Sequence, residues 1–124
     1  WRNDNSVNPQ IFSIDFGKEN TKKITDTVSW QIYYPAVEYC KSLGDKWYLP
    51  AIDEWYSVML NQKIINKRLE KKDATLIDGR YWTSTQYQYD EDQVWQWYDV
   101  GFYGVEQIDT KTTRKVRPFL DVSK

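Results

Sequence analysis

Two of the residue types that most often do covalent or acid–base chemistry are scarce in this chain. It has no histidine and a single cysteine, Cys40. Without imidazole, the commonest general base and the commonest metal ligand are both missing. One thiol allows no internal disulfide, and Cys40 has apolar neighbours at helical spacing, the pattern of a small buried residue. Asp53 and Glu54 are paired carboxylates, but consecutive residues of a helix do not share a face. With no second thiol and no histidine, a nucleophile–base pair is hard to assemble, so the chain is expected to be non-catalytic. Asp90-Glu91-Asp92, with Asp99 close in sequence, offers hard oxygen ligands of the kind calcium takes. Adjacent acids in a loop are usually solvated, so no cofactor is assigned, with calcium kept as the lesser reading.

The remaining chemistry is that of aromatic surfaces. Residues 80–120 hold half of the ten tyrosines and Trp82, Trp95 and Trp97. Several runs there alternate apolar and polar residues, the period of a strand with one packed and one wet face. If Tyr98, Val100 and Phe102 point inward, then Trp95, Trp97, Asp99 and Tyr103 point outward. Outward rings give rigid contact area at little entropic cost, in sugar stacking as in protein hot spots. The expected ligand-contacting set is Gln86, Tyr87, Gln88, Tyr89, Trp95, Trp97, Asp99, Tyr103, Gln107, Asp109, Thr112 and Arg114. The competing reading puts most of these rings in the core, where Trp82 is assigned outright. Arg114 sits in a polar turn as a candidate contact; Arg117, beside Val116, reads as a structural ion pair.

These residues must be held by a frame. The 124 residues suit a single domain, 1–124, with a core of its own. Aromatics make up 17% of the chain, so rings supply much of that core. Residues 1–10 read as an irregular lead-in. Ile11, Phe12, Ile14 and Phe16 suggest a strand closed by Gly17, followed by a charged loop over 18–23. Val28, Trp30 and Ile32 suggest a second strand within 24–33. A helix follows: Pro35 suits its first turn, Ala36, Val37, Cys40 and Leu43 share a face, and Gly44 takes the left-handed C-terminal position. Trp47 to Pro50 is an extended link. A second helix starts after Pro50, with Asp53 and Glu54 in its first turn. Its inner face is Trp55, Val58 and Met59, continuing through Ile64, Ile65 and Leu69 after a break at Asn61-Gln62. Lys63, Lys67, Arg68, Lys71 and Lys72 read as its solvated face, a specific anionic partner being the lesser reading. Asp78-Gly79 marks a turn. Strands are expected over 82–85, 94–102, 105–111 and 115–120, with a polar loop over 86–93. The class is α+β: two helices packed on a twisted, mainly antiparallel sheet with an aromatic hairpin region.

The net charge of −1 gives no basic stripe for nucleic acid. No apolar run approaches the roughly 20 residues of a membrane span. The chain opens at Trp1 rather than Met, and is read as a trimmed piece whose targeting signal is missing.

Taken in order, Ala36 to Gly44, Trp47-Tyr48-Leu49-Pro50-Ala51-Ile52-Asp53-Glu54, Ile64-Ile65-Asn66-Lys67-Arg68-Leu69, Tyr81-Trp82-Thr83-Ser84-Thr85 and Val116-Arg117-Pro118 resemble the bacterial C-type-lectin-like domains at the C-terminus of surface adhesins. The likeness covers residues 30–120. It implies a lectin-like frame, an extracellular, cell-surface or phage-particle location, and a protein or glycan partner on another cell surface. Some members of that group are targets of diversity-generating retroelements, which would place varied residues within 86–113. Formylglycine-generating enzymes are similar at Leu49-Pro50 and Glu54-Trp55, but they need paired cysteines that this chain lacks. The chain also departs from the adhesin pattern. Ala51 replaces a Ser or Thr cap worth about 1 kcal/mol, Phe119-Leu120 replaces Val-Arg, and residues 94–100 carry one extra residue, as a bulge would. The calcium-binding triplets of animal C-type lectins do not occur.

Overall fold

A computed structural model describes residues 1–3, 10–90, 93–98, 105–109 (backbone) and 113–122. The described elements run α1 (Gly17–Thr25), α2 (Trp30–Tyr33), α3 (Pro35–Ser42), β1 (Trp47–Tyr48), α4 (Ile52–Leu60), α5 (Gln62–Lys71), β2 (Arg80–Gln86), β3 (Gln93–Tyr98), β4 (Val105–Asp109) and β5 (Phe119–Leu120). The class is α+β, with one antiparallel sheet of order β2-β3-β4 and a two-stranded antiparallel pair, β1-β5.

The larger sheet is packed on both faces. Tyr81 and Trp97 lie opposite each other across β2 and β3. They share a cluster with Trp55 and Ile52 of α4 and with Ile77. The neighbouring positions Trp82 and Val94 face the other way, into a cluster with Trp1, Ile11, Ile24, Tyr34, Val37, Cys40 and Leu49. A strand buried on two sides does not alternate wet and dry. Residues 81–86 of β2 are accordingly all buried. The expectation of one wet face therefore fails at Trp97, which is 0% exposed. Its ring stacks on Trp55 at 4.9 Å and an interplanar angle of 10°. Tyr98, assigned inward, is half-exposed and carries the Arg80 guanidinium over its ring at 4.4 Å.

The N-terminal third also differs from expectation. Residues 11–16 form no strand: Ile11 is buried, while Phe12, Ile14 and Phe16 are exposed. The charged loop is instead helix α1. Its buried face is Gly17, Asn20, Thr21 and Ile24, spaced i, i+3, i+4, i+7 as a helix requires. Hydropathy misses this face because three of its four residues are not apolar. The alternation at Val28, Trp30 and Ile32 is also misleading: Val28 and Ile32 are exposed, and the segment turns through Ser29, at φ +61°, into α2.

From α3 to α5 the helices follow the sequence reading, except that Ile64, assigned to the inner face, is exposed. Pro35 opens α3, and Ala36, Val37 and Cys40 are buried, although Leu43 lies exposed beyond the last turn. Gly44 takes φ +138°. Asn61 separates α4 from α5. The final strand is shorter than expected: Lys115 makes an isolated parallel bridge to Tyr81, and only Phe119–Leu120 pair as a strand.

Candidate ligand-binding face

Tyr87 to Asp90 lead out of β2 and are tied to Gln93, the first residue of β3. Tyr87 N–H donates to the Gln93 carbonyl at 2.9 Å, and Gln93 N–H donates to the Asp90 carbonyl at 3.1 Å. This arrangement brings three rings into a row. Tyr87 stands edge-on to Tyr89 at 5.4 Å and edge-on to Trp95 at 5.5 Å. Trp95 and Tyr87 are both half-buried, Trp95 packing on the Trp55 and Trp97 cluster, and Tyr89 at the outer end is 78% exposed. Gln88 is exposed between the tyrosines. Thr83 Oγ1 donates to the Trp95 carbonyl at 2.7 Å, fixing the strand that carries the innermost ring.

Other expected contacts fall elsewhere. Gln86 is 1% exposed and acts as a two-way strap. Its N–H donates to the Ile11 carbonyl at 2.7 Å, and its Oε1 accepts the Ile11 N–H at 2.7 Å. Gln86 therefore belongs to the frame, as Trp97 does. Arg114 donates through Nε to Gln96 Oε1 at 2.6 Å and through Nη1 to the Thr113 carbonyl at 2.7 Å. Gln96 is buried next to Trp95 in β3, and consecutive strand residues point to opposite faces. Arg114 is thus tied to the face of the sheet opposite the ring row. Arg117 forms no ion pair among the described residues; its Nη1 donates to the Thr75 carbonyl at 2.7 Å. Gln107 and Asp109 are placed by backbone register opposite Trp95 and Gln93. Asp99, Tyr103 and Thr112 lie outside the described residues, as do Glu91 and Asp92 of the acidic run.

The motif Thr83-Ser84-Thr85 is a buried polar hub. Trp1 Nε1 donates to the Thr83 carbonyl at 2.8 Å, and Ser84 N–H donates to the Pro50 carbonyl at 2.7 Å. Asn20 Nδ2 reaches Ser84 Oγ at 3.0 Å and the Ser13 carbonyl at 2.6 Å. Thr85 Oγ1 accepts the Ile52 N–H at 3.2 Å and donates to the Ser13 carbonyl at 2.9 Å. These bonds supply partners for buried backbone groups that have no ladder partner.

Glu54, weighed above as half of a carboxylate pair, is a bracket. Oε1 accepts the N–H groups of Gly17 at 2.7 Å and Ala51 at 2.9 Å. Oε2 accepts the Tyr48 hydroxyl at 2.8 Å. Burial, then the hydrogen bond to Glu54, pushes the Tyr48 phenol well above its ordinary range. Asp53 is raised by burial and then by neighbouring Asp15, so its partner is Asp15 rather than Glu54. Burial pushes the Cys40 thiol up to about 12, which leaves it neutral and a poor nucleophile. No cluster of three or more potential metal ligands occurs among the described residues. Among them, too, no helix is long and apolar enough to cross a membrane.

The frame residues Asn20, Glu54 and Gln86 were not legible as such. Only the spacing of Gly17, Asn20, Thr21 and Ile24 hinted at a polar helix face turned inward. The chain matches no family model, and neither a curated protein nor a solved structure is significantly similar to it.

Proposed function

We propose that the chain is a non-catalytic binding module with a C-type-lectin-like frame, engaging a protein partner at a cell surface through the row Trp95, Tyr87 and Tyr89. The observation that carries this reading is the exposure of Tyr89 at the end of an edge-on row anchored in the core. The inner rings hold the outer one in place, so little side-chain entropy is lost when a partner covers it. The motif residues of the adhesin likeness support the same division of roles. Glu54 and Thr83 to Thr85 are engaged in frame hydrogen bonds, whereas Gln88 and Tyr89 present exposed side chains. A retroelement acting on this frame would vary Tyr87, Gln88 and Tyr89 and spare Gln86, Val94, Gln96 and Trp97, which are buried.

A glycan is the second reading, favoured by the open face of the Tyr89 ring. Both are tested by probing the labelled chain, beside a Y87A/Y89A variant, on an array of oligosaccharides and an array of receptor ectodomains. Signal on ectodomains that drops about tenfold or more in the variant supports a protein partner. The same loss on sugars alone moves the assignment to glycan. Signal indifferent to both substitutions removes the ring row from function.

A further inference from the structure

We infer that the elbow between α4 and α5 is a second docking surface, fitted to an acidic amphipathic helix of another protein. A cleft of about 890 Å³ opens there, lined by the apolar Met59, Leu60, Ile64 and Leu76 and by Lys63 and Lys67, with Glu70 as its single acid. Leu60 is 80% exposed and Ile64 59%, more than a solvated helix face needs. The cleft is held open by the frame. Asn61 Nδ2 donates back to the Ser57 carbonyl at 3.0 Å, closing the last turn of α4. Asn66 clamps Ile77, accepting its N–H at 2.8 Å and donating to its carbonyl at 3.2 Å, which fixes Leu76 as the far wall.

Charge selects the occupant. Lys63, Lys67, Arg68, Lys71 and Lys72 are all exposed, and no acid among the described residues forms an ion pair with any of them. Lys63, Lys67 and Lys71 stand on successive turns of one helix, where like charges repel. An acidic partner relieves that repulsion while its apolar side chains fill the floor, the helix-in-groove mode of recognition. Nucleic acid fits less well: the cleft has no aromatic lining on which a base could stack, and an apolar floor gives nothing to phosphate. A bilayer needs a continuous apolar face, and Lys63, Asn66 and Lys67 interrupt this one.

The test is fluorescence anisotropy with a synthetic helix of about 15 residues, leucine on one face and glutamate elsewhere, against its scrambled sequence. The leucine–glutamate helix is expected to bind the full chain, to weaken as salt is raised, and to weaken about tenfold or more against L60S/I64S and against K63E/K67E. Amide shifts in the wild-type chain on peptide addition should centre on residues 59–67 and 76, a readout that does not depend on any variant folding. Binding no tighter than that of the scrambled peptide overturns the proposal. So does binding unchanged in both variants, or binding to phosphatidylserine vesicles with none to the peptide.

Discussion

Glu54 Oε1 accepts the backbone N–H of Gly17 at 2.7 Å, across 37 positions of sequence. This contact places the first turn of α1 against the first turn of α4. The same oxygen takes the Ala51 N–H, so one carboxylate satisfies orphan donors at the starts of two helices. Ala51 has no side-chain acceptor of its own; Glu54 takes the Ala51 N–H, while Thr85 Oγ1 and the Ile14 carbonyl take the next two donors of α4, Ile52 and Asp53.

That arrangement makes Gly17 a position where only hydrogen fits. A Cβ there would meet Glu54 Oε1 at 2.5 Å, the Ala51 nitrogen at 2.6 Å and the Leu49 carbonyl oxygen at 2.6 Å. Two of these three atoms are backbone and cannot swing aside. G17A is expected to cost about 1–3 kcal/mol, the range for overpacking, although alanine is otherwise the better helix former. Urea unfolding should show a lower midpoint with an unchanged slope. A midpoint equal to or above that of the wild type would show that the contact yields freely.

Gln86 provides a second test of the frame. Q86A removes the acceptor of the Ile11 N–H, which is buried with Ile11 itself at 0% exposure. An unmet buried donor costs about 1–3 kcal/mol, so the variant should unfold earlier. Its affinity for any partner, measured well below the midpoint, should stay within about twofold of wild type, because the residue has no exposed surface to offer. Lost affinity with unchanged stability would return Gln86 to the contact set.

Tyr89 and Trp97 were read alike from sequence, and the structure separates them. Y89A should change stability by no more than about 0.5 kcal/mol, as exposed substitutions do. W97A should cost about 3–5 kcal/mol, since it removes a ring stacked on Trp55 and packed near Tyr81. Thermal melts of the two variants, run in parallel, decide the matter. Equal losses would mean that the ring row is part of the core and carries no partner.

How much was legible depended on where the signal lived. Helix α3, the start of α4 and the break at Asn61 were readable because proline, glycine and apolar spacing each state a local backbone preference. Helix α1 was not, since Asn20 and Thr21 are buried through hydrogen bonds to Ser13, Ser84 and Leu49, residues distant in the chain or in no regular element. Gln86 and Trp97 were misplaced because alternation reports a wet face only when the other side of the sheet is bare. Here α4 covers one face and the Trp1, Ile24 and Val37 cluster covers the other.

Cys40 carries the last prediction, on alkaline stability. Burial raises its thiol from 9.0 to about 12; Tyr34 and Tyr48 are raised by burial as well. A raised acid stays neutral in the fold after it has ionised in the unfolded chain. The unfolded state therefore binds fewer protons, and stability falls as pH rises. For Cys40 the decline starts near the ordinary thiol value of 9.0 and is complete near 12, and the two phenols add to it from about pH 10 upward. C40A removes the thiol's share. Its unfolding midpoint should start lower at pH 8, because a small cavity is left, but should fall less steeply between pH 9 and 11. Slope and starting point are separate readouts, so a packing cost cannot imitate the titration. Native protein should also resist a thiol reagent such as Ellman's at pH 8 and react once urea unfolds it. Rapid reaction in the native state, together with parallel pH profiles for wild type and C40A, would place the thiol in water rather than among Val37 and Leu49.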